Sequence, residues 1–195
     1  MCAVARPHAR PATLAWRALR RFRRGESVKT ADGLSLLIAL KERVARLYFG
    51  FFRAFRTDPR AAACWWDLAR DEYGHAGLLR MVRELAAPDS DCGEVGARLW
   101  SLVETVERCE RQAAEVASLA GALELALRLE SSEMGALSYR IVQSLEADLP
   151  EGAARSFSGA DTHARRLAEA ADGISDRKLR QRVDDMLGGF RNRRA

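Results

Sequence analysis

The sequence lacks the features that mark membrane proteins and secreted proteins. No segment approaches the roughly 18 to 20 consecutive apolar residues that a membrane-spanning helix needs. The N-terminus is rich in arginine, but it has no apolar run of the kind that a signal peptide contains. We therefore expect a soluble, cytoplasmic protein with no membrane span.

Cysteine is scarce, and its spacing excludes two kinds of metal centre. The four cysteines are Cys2, Cys64, Cys92 and Cys109, and no two of them form a C-x-x-C pair. The chain therefore encodes neither a rubredoxin-type iron centre nor a zinc ribbon. We expect the cysteines to be small buried hydrophobic residues or incidental free thiols.

The strict polar and apolar alternation of β-strands is also missing, which predicts an all-α chain. A length of 195 residues suits one domain with a sizeable core. Asp58 is the expected N-cap of a helix that begins at Pro59, and Pro150 marks another boundary. We predict helices at about residues 32–55, 59–86, 95–109, 113–149 (unless Gly121 breaks it), 153–171 and 176–190.

Positive charge is concentrated at the two ends of the chain. Residues 1–25 contain seven arginines and no acidic residue, and residues 191–195 contain three more arginines. The 22 basic and 27 acidic residues between them leave the body, residues 26–190, mildly acidic. We expect residues 1–25 to be a partly disordered basic arm, solvated or in contact with phosphates of nucleic acid or lipid, and residues 191–195 to be a basic tail.

Glu72 and His75 interrupt the apolar face of the second predicted helix. Leu68, Glu72, His75 and Leu79 follow one another at intervals of four, three and four residues, so they share one side of that helix. A carboxylate that faces a core is costly unless something pairs with it. A Glu and a His three residues apart on an inward face often offer an oxygen and a nitrogen to one metal ion. The pattern predicts half of a metal site.

An internal repeat supplies the other half. When the chain is shifted by 88 residues, Glu42 aligns with Glu130 and His75 aligns with His163. The match around the histidines extends to the motif His-Ala-x-x-Leu in both halves. The whole chain has only three histidines, and two of them occupy equivalent positions in the repeat. The sequence therefore predicts two tandem helix pairs that share one site.

The repeat is incomplete in its second half. Position 160, which is equivalent to Glu72, is an alanine, and Asp161 points about 200° around a helix from His163. Glu133 lies one turn beyond Glu130 on the same expected face. It compensates in part for the carboxylate that is missing at Ala160.

These residues together resemble the rubrerythrin-like branch of the ferritin-like superfamily. The pattern is a Glu on the first helix, Glu-x-x-His on the second, a long crossover, Glu-x-x-Glu on the third and a His on the fourth. The resemblance covers about residues 32–171, and the sequence of residues 42–50 also looks like that of a rubrerythrin first helix. It implies an all-α, ferritin-like four-helix bundle with a long crossover between helices 2 and 3, plus short terminal helices.

The resemblance also implies a metal centre. Members of this family hold two irons between carboxylates and histidines. Carried over by position, Glu42 and Glu130 would be terminal ligands and Glu72 a bridging ligand. His75 and His163 would be the nitrogen ligands, and Glu133 matches the extra glutamate of the third helix.

Ala160 stands where the family has a second bridging carboxylate. We therefore expect either a weakened dinuclear iron site or one ion held mainly by Glu42, Glu72, His75 and Glu130. Manganese and zinc suit the same donors. Tyr48 and Tyr73 are candidate catalytic residues that would hydrogen-bond a ligand or a bound oxygen species.

Three hypotheses for function follow. The first is an iron oxidoreductase that reduces peroxide or oxidises ferrous iron, with its electrons supplied by another protein because no rubredoxin-type domain is present. The second is a degenerate bundle, kept as a binding or structural module. The third is a ferritin-like hydroxylase acting on tRNA, which the texture of residues 68–72 and the basic ends favour. A homodimer is expected in each case.

Overall fold

The computed structural model describes residues 29–85, 95–132, 134–144, 160–172 and 174–192. In these ranges the chain forms α-helices joined by short turns and contains no strand, as the sequence predicts. No helix among the described residues is long and apolar enough to cross a membrane. The helices are α1 Thr30–Ala54, α2 Pro59–Leu85, α3 Val95–Ala113, α4 Leu119–Glu130, α5 Met134–Ser144, α6 Ala160–Ala171 and α7 Arg177–Asn192.

The two longest helices, α1 and α2, form the framework of the fold and pack against each other along their length. The face of α1 that enters the core follows intervals of three and four residues, which is the spacing of a helix packed nearly parallel to its neighbours. Its members are Leu34, Leu37, Lys41, Val44, Tyr48 and Phe51, and all are buried. Helices α3, α5 and α6 pack against this pair, and α4 contacts α3, α5 and α6.

Aromatic rings close the core at one end of the α1–α2 pair. Trp65 is fully buried and lies between Tyr48, at 5.9 Å between ring centroids, and Phe51, at 5.0 Å. Trp66 is half exposed and contacts Phe49 and other rings at the surface. Trp65 therefore packs in the core, whereas Trp66 packs at its edge.

Aspartates cap two of the helices, and the first of these caps, Asp58, is the one that the sequence predicts. Asp58 Oδ1 accepts hydrogen bonds from the backbone N–H groups of Arg60 and Ala61, at 3.0 and 3.1 Å, and so caps α2. Asp176 caps α7 in the same way through the N–H groups of Lys178 and Leu179.

The predicted helix over residues 113–149 starts later than expected, because α3 runs on to Ala113, residues 114–118 form a turn and α4 begins at Leu119. It is also interrupted further along, but not at Gly121. Gly121 lies in the first turn of α4, where its N–H donates to the Ser118 hydroxyl. The break follows Glu130, at two serines. The Ser132 hydroxyl donates to the carbonyl of Leu129 at 2.5 Å, and such bonds compete with the helical backbone. The apolar face still continues across the break: Leu123, Leu127, Met134, Leu137 and Ile141 are buried.

Parts of the sequence predictions lie outside the described residues. They are the basic arm of residues 1–25, the tail from residue 193 onward, much of the crossover at residues 86–94, the end of the predicted helix 113–149 from residue 145 onward, and residues 153–159 of the predicted helix 153–171.

Removal of the Asp58 cap provides a test of the α2 boundary. Asp58→Ala leaves two N–H groups at the helix start without their acceptor, and we expect it to destabilise the fold by about 1 kcal/mol. Urea unfolding monitored by circular dichroism measures this loss. Thr57→Ala, at the exposed neighbouring position, is the control, and equal stability of the two variants would contradict the assigned cap.

Candidate metal centre

Glu72 lies in the core at the middle of α2, paired with a lysine from α1. Its side chain is 3% exposed, and Lys41 Nζ lies 3.1 Å from Oε1 and 2.9 Å from Oε2. Lys41 is itself 7% exposed. Because an isolated charge in such a place is very costly, each side chain depends on the other for its burial.

Glu130, the last residue of α4, meets His163 from α6 beside this pair. His163 Nδ1 lies 3.0 Å from Glu130 Oε2 and 3.7 Å from Glu72 Oε1. The hydroxyl of Tyr48 donates a 2.7 Å hydrogen bond to Glu130 Oε1. The two carboxylates are thus brought together around one imidazole by three separate helices.

The opposite edge of the His163 ring faces Asp71. Its Nε2 lies 3.5 Å from Asp71 Oδ2, and the guanidinium of Arg166 donates to the same oxygen. Asp71 is one residue before Glu72 on α2, and Arg166 is one turn after His163 on α6. At 3.5 Å this contact is longer than a normal hydrogen bond, but the Asp71 carboxylate favours the ring orientation that puts Nδ1 toward the two glutamates.

Ionisation in the cluster follows from its paired charges. Burial disfavours the imidazolium of His163, but the carboxylates of Glu130, Asp71 and Glu72 outweigh this and raise its pKa to about 10. Burial likewise opposes the charge of Glu72, yet Lys41 and the two histidines hold its pKa below the usual value. Burial and the neighbouring Glu130 raise the pKa of Tyr48, so Tyr48 stays a neutral donor.

A cavity of about 40 Å³ opens onto these groups. Its polar lining consists of Lys41, Glu72, His75, Glu130, Ser138 and His163. The volume exceeds the roughly 10 to 15 Å³ that one water molecule needs, so it is large enough for a small ion or one or two solvent molecules.

Three possible ligand atoms, one each from Glu72, Glu130 and His163, lie within 4.8 Å of one another. Ligands bound at about 2.0 to 2.2 Å from one ion are themselves separated by roughly 3 to 3.5 Å. The separations from His163 Nδ1 to the two glutamates, 3.0 and 3.7 Å, are close to that range, whereas the two carboxylate oxygens lie within 4.8 Å of each other. The donor atoms are therefore near enough to share one cation.

His75 borders the same cavity. Its Nδ1 lies 3.6 Å from Glu72 Oε1, and its ring centroid lies 5.9 Å from that of His163. The structure therefore brings together four of the six predicted ligands: Glu72, His75, Glu130 and His163.

Glu42 does not join them, contrary to its predicted inward position on α1. Its side chain is 27% exposed and pairs with Arg80 and, at 3.8 Å, with Arg46. Leu37, Lys41 and Val44 are buried instead, so Lys41, one residue before Glu42, takes the inward place on α1. Glu133 lies outside the described residues.

The two tyrosines predicted as catalytic have different environments. Tyr48 is buried and bonded to Glu130, whereas Tyr73 is 47% exposed on the outer side of α2. Tyr73 is therefore remote from the cavity. At the equivalent of Glu72 in the repeat, Ala160 is the first residue of α6.

Sequence reasoning missed Lys41, Asp71 and Arg166. A signal for Lys41 was present, because it falls at the intervals of three and four residues that connect Leu37 with Val44. No comparable signal marks Asp71 or Arg166, since their pairing depends on how α2 and α6 meet.

Comparison with known proteins gives no further guide. No protein-family model matches the chain, and no curated protein or solved structure is significantly similar to it. The geometry of the cluster therefore carries the functional argument.

Replacement of Lys41 tests the buried ion pair. Lys41→Met leaves Glu72 without its ammonium, and we expect a loss on the order of 3 kcal/mol in the free energy of unfolding. The double variant Lys41→Met/Glu72→Met removes both charges and should be clearly more stable than the single variant. Chemical denaturation of the metal-free proteins measures both values.

A surface pair serves as the control for this comparison. Arg46 is 51% exposed beside Glu42, and such pairs contribute about 0 to 1 kcal/mol. Arg46→Met should therefore change stability little. If Lys41→Met proved equally mild, Lys41 and Glu72 would not depend on each other.

The buried cysteines should be unreactive in the folded protein. Burial raises the pKa of Cys64 to about 12 and also raises the pKa of Cys109. At pH 8 we expect both thiols to react with iodoacetamide on the order of 100-fold or more slowly than in urea, because the thiolate is the nucleophile. Peptide mass spectrometry measures both rates, and equal rates in the two conditions would contradict the burial.

Proposed function

We propose that this chain is a metal-binding, ferritin-like helical protein whose centre works as a non-haem iron oxidoreductase. The observation that carries the proposal is the convergence of Glu72, Glu130 and His163 from three helices on one buried cavity. Buried carboxylates need a partner because their desolvation is costly, and a bound cation is one such partner.

The donor set suits one divalent transition-metal ion. Two carboxylates with one or two imidazoles favour iron, manganese or zinc over magnesium or calcium, which prefer oxygen donors alone. The set is poorer for two ions, since Glu42 faces Arg80 and position 160 is alanine. A mononuclear centre is therefore the form that we propose.

The proposed architecture is a four-helix bundle in which α1 pairs with α2, and the interrupted helix α4–α5 lies beside α6. Segment 86–113, which includes α3, would be the crossover between the two pairs. Packing of α1 against α2 and of α4 against α6 supports this arrangement.

Bound iron would supply one-electron redox chemistry. Reduction of peroxide to two water molecules takes two electrons and two protons, so a separate donor protein would deliver electrons. The side chains would supply the surroundings: Tyr48 holds Glu130 in place, Asp71 orients His163, and the apolar lining limits the access of water.

Metal titration of the wild-type chain and of ligand variants tests the proposal. We expect the chain to bind Co²⁺ or anaerobic Fe²⁺, and Glu72→Gln, Glu130→Gln or His163→Ala to weaken binding by at least about 10- to 100-fold. Isothermal titration and elemental analysis report affinity and amount. The iron-loaded protein should then consume peroxide or accelerate the oxidation of ferrous iron.

Glu42→Gln is the matched control, because Glu42 is a glutamate of the same helical pair that pairs with Arg80 and does not line the cavity. It should bind metal as the wild-type chain does. The proposal would be refuted by a wild-type protein that binds no metal and by a His75→Ala variant that behaves in these assays as the wild-type chain does.

One observation favours a second candidate, a metal-free binding or structural module. Lys41 already neutralises Glu72, and Glu130 pairs with His163, so the cluster is balanced in charge without an ion. A folded chain that neither binds metal nor consumes peroxide, but that captures a defined partner in a pull-down, would support this candidate.

A further inference from the structure

Lys41 lies where a second cation would be expected in a two-metal centre. Its ammonium contacts both oxygens of Glu72, at 3.1 and 2.9 Å. A carboxylate that bridges two metal ions uses one oxygen for each of them. In this chain the ammonium already contacts both oxygens, and Oε1 alone is also near His75 and His163, at 3.6 and 3.7 Å.

We infer that Lys41 restricts this centre to one metal ion, with Glu72 bridging the Lys41 ammonium and a single divalent cation. This inference deepens the proposed function and rests on it. Lys41 thereby determines how many metal ions the centre binds. The single ion that binds beside it is a divalent transition metal.

Charge balance supports the inference. The described cavity offers two carboxylates, Glu72 and Glu130, because Asp71 is engaged by Arg166 on the far side of His163. Once His163 has lost its proton to act as a ligand, one divalent ion and the ammonium bring three positive charges against two negative ones. A second ion would bring five, an excess that a site with so little exposure to water cannot offset.

Geometry supports it as well. Lys41 follows the buried face of α1, between Leu37 and Val44, so its stem packs in the core and its ammonium reaches the cavity. No carboxylate from α1 reaches the cavity within the described residues, since Glu42 faces Arg80. A cation thus occupies the place at which α1 would otherwise supply a ligand.

Metal stoichiometry tests the inference without reference to activity. Wild-type protein and Lys41→Met are dialysed against Co²⁺, and bound cobalt is measured by elemental analysis and by its visible absorption. We expect one Co²⁺ per wild-type chain. Lys41→Met should take up a second equivalent or bind the first at least tenfold more tightly, since a neutral side chain of similar length removes the competing charge.

Lys178→Met is the matched control, because Lys178 is exposed on α7. It should behave as the wild-type chain does. If Lys41→Met does not fold without metal, it is refolded from urea in the presence of Co²⁺, and Lys41→Gln is measured alongside it. The wild-type stoichiometry tests the inference whatever the variants do.

The outcomes separate the inference from the proposed function. Two Co²⁺ ions per wild-type chain would overturn the inference and leave the metal centre standing. Unchanged cobalt stoichiometry and affinity in Lys41→Met would also overturn the inference. If Lys41→Met cannot be refolded, the same result in Lys41→Gln would do so. No cobalt in the wild-type chain would overturn the proposed function and, with it, the inference.

Discussion

The buried pair of Lys41 and Glu72 is the constraint on which the centre of this fold depends. Two charged side chains lie among leucines of the two longest helices, and neither could stay there alone. The pair fixes the register of α1 against α2, because a slip by one residue would bury Glu42 beside Glu72. That arrangement would place two carboxylates in the core and leave the ammonium outside.

The remaining polar groups extend outward from this pair in a definite order. Glu72 lies close to His163, and His163 pairs with Glu130. Glu130 in turn accepts a hydrogen bond from Tyr48. These contacts connect α1, α2, α4 and α6, so polar pairing, as well as apolar packing, specifies which helices meet. Networks of this kind favour one arrangement strongly, because a partly paired alternative is more costly than an apolar one.

Much of this organisation could be predicted from the sequence, but its decisive contact could not. Capping by Asp58 and the spacing of apolar residues are local properties, and they located the start and the inward face of α2. Helix α1 carries two adjacent apolar faces, and the sequence prediction chose the one that includes Glu42. Its burial was settled by α2 and α3, so Lys41 instead of Glu42 faces the centre.

The break between α4 and α5 gives the two carboxylates unequal support. Glu72 lies in the middle of a helix of 27 residues, with turns of backbone on both sides, whereas Glu130 is the last residue of a helix of 12. A carboxylate at a helix end is held by fewer backbone hydrogen bonds. Glu130 therefore has the weaker backbone support of the two carboxylates, and its position depends more on its side-chain contacts with Tyr48 and His163.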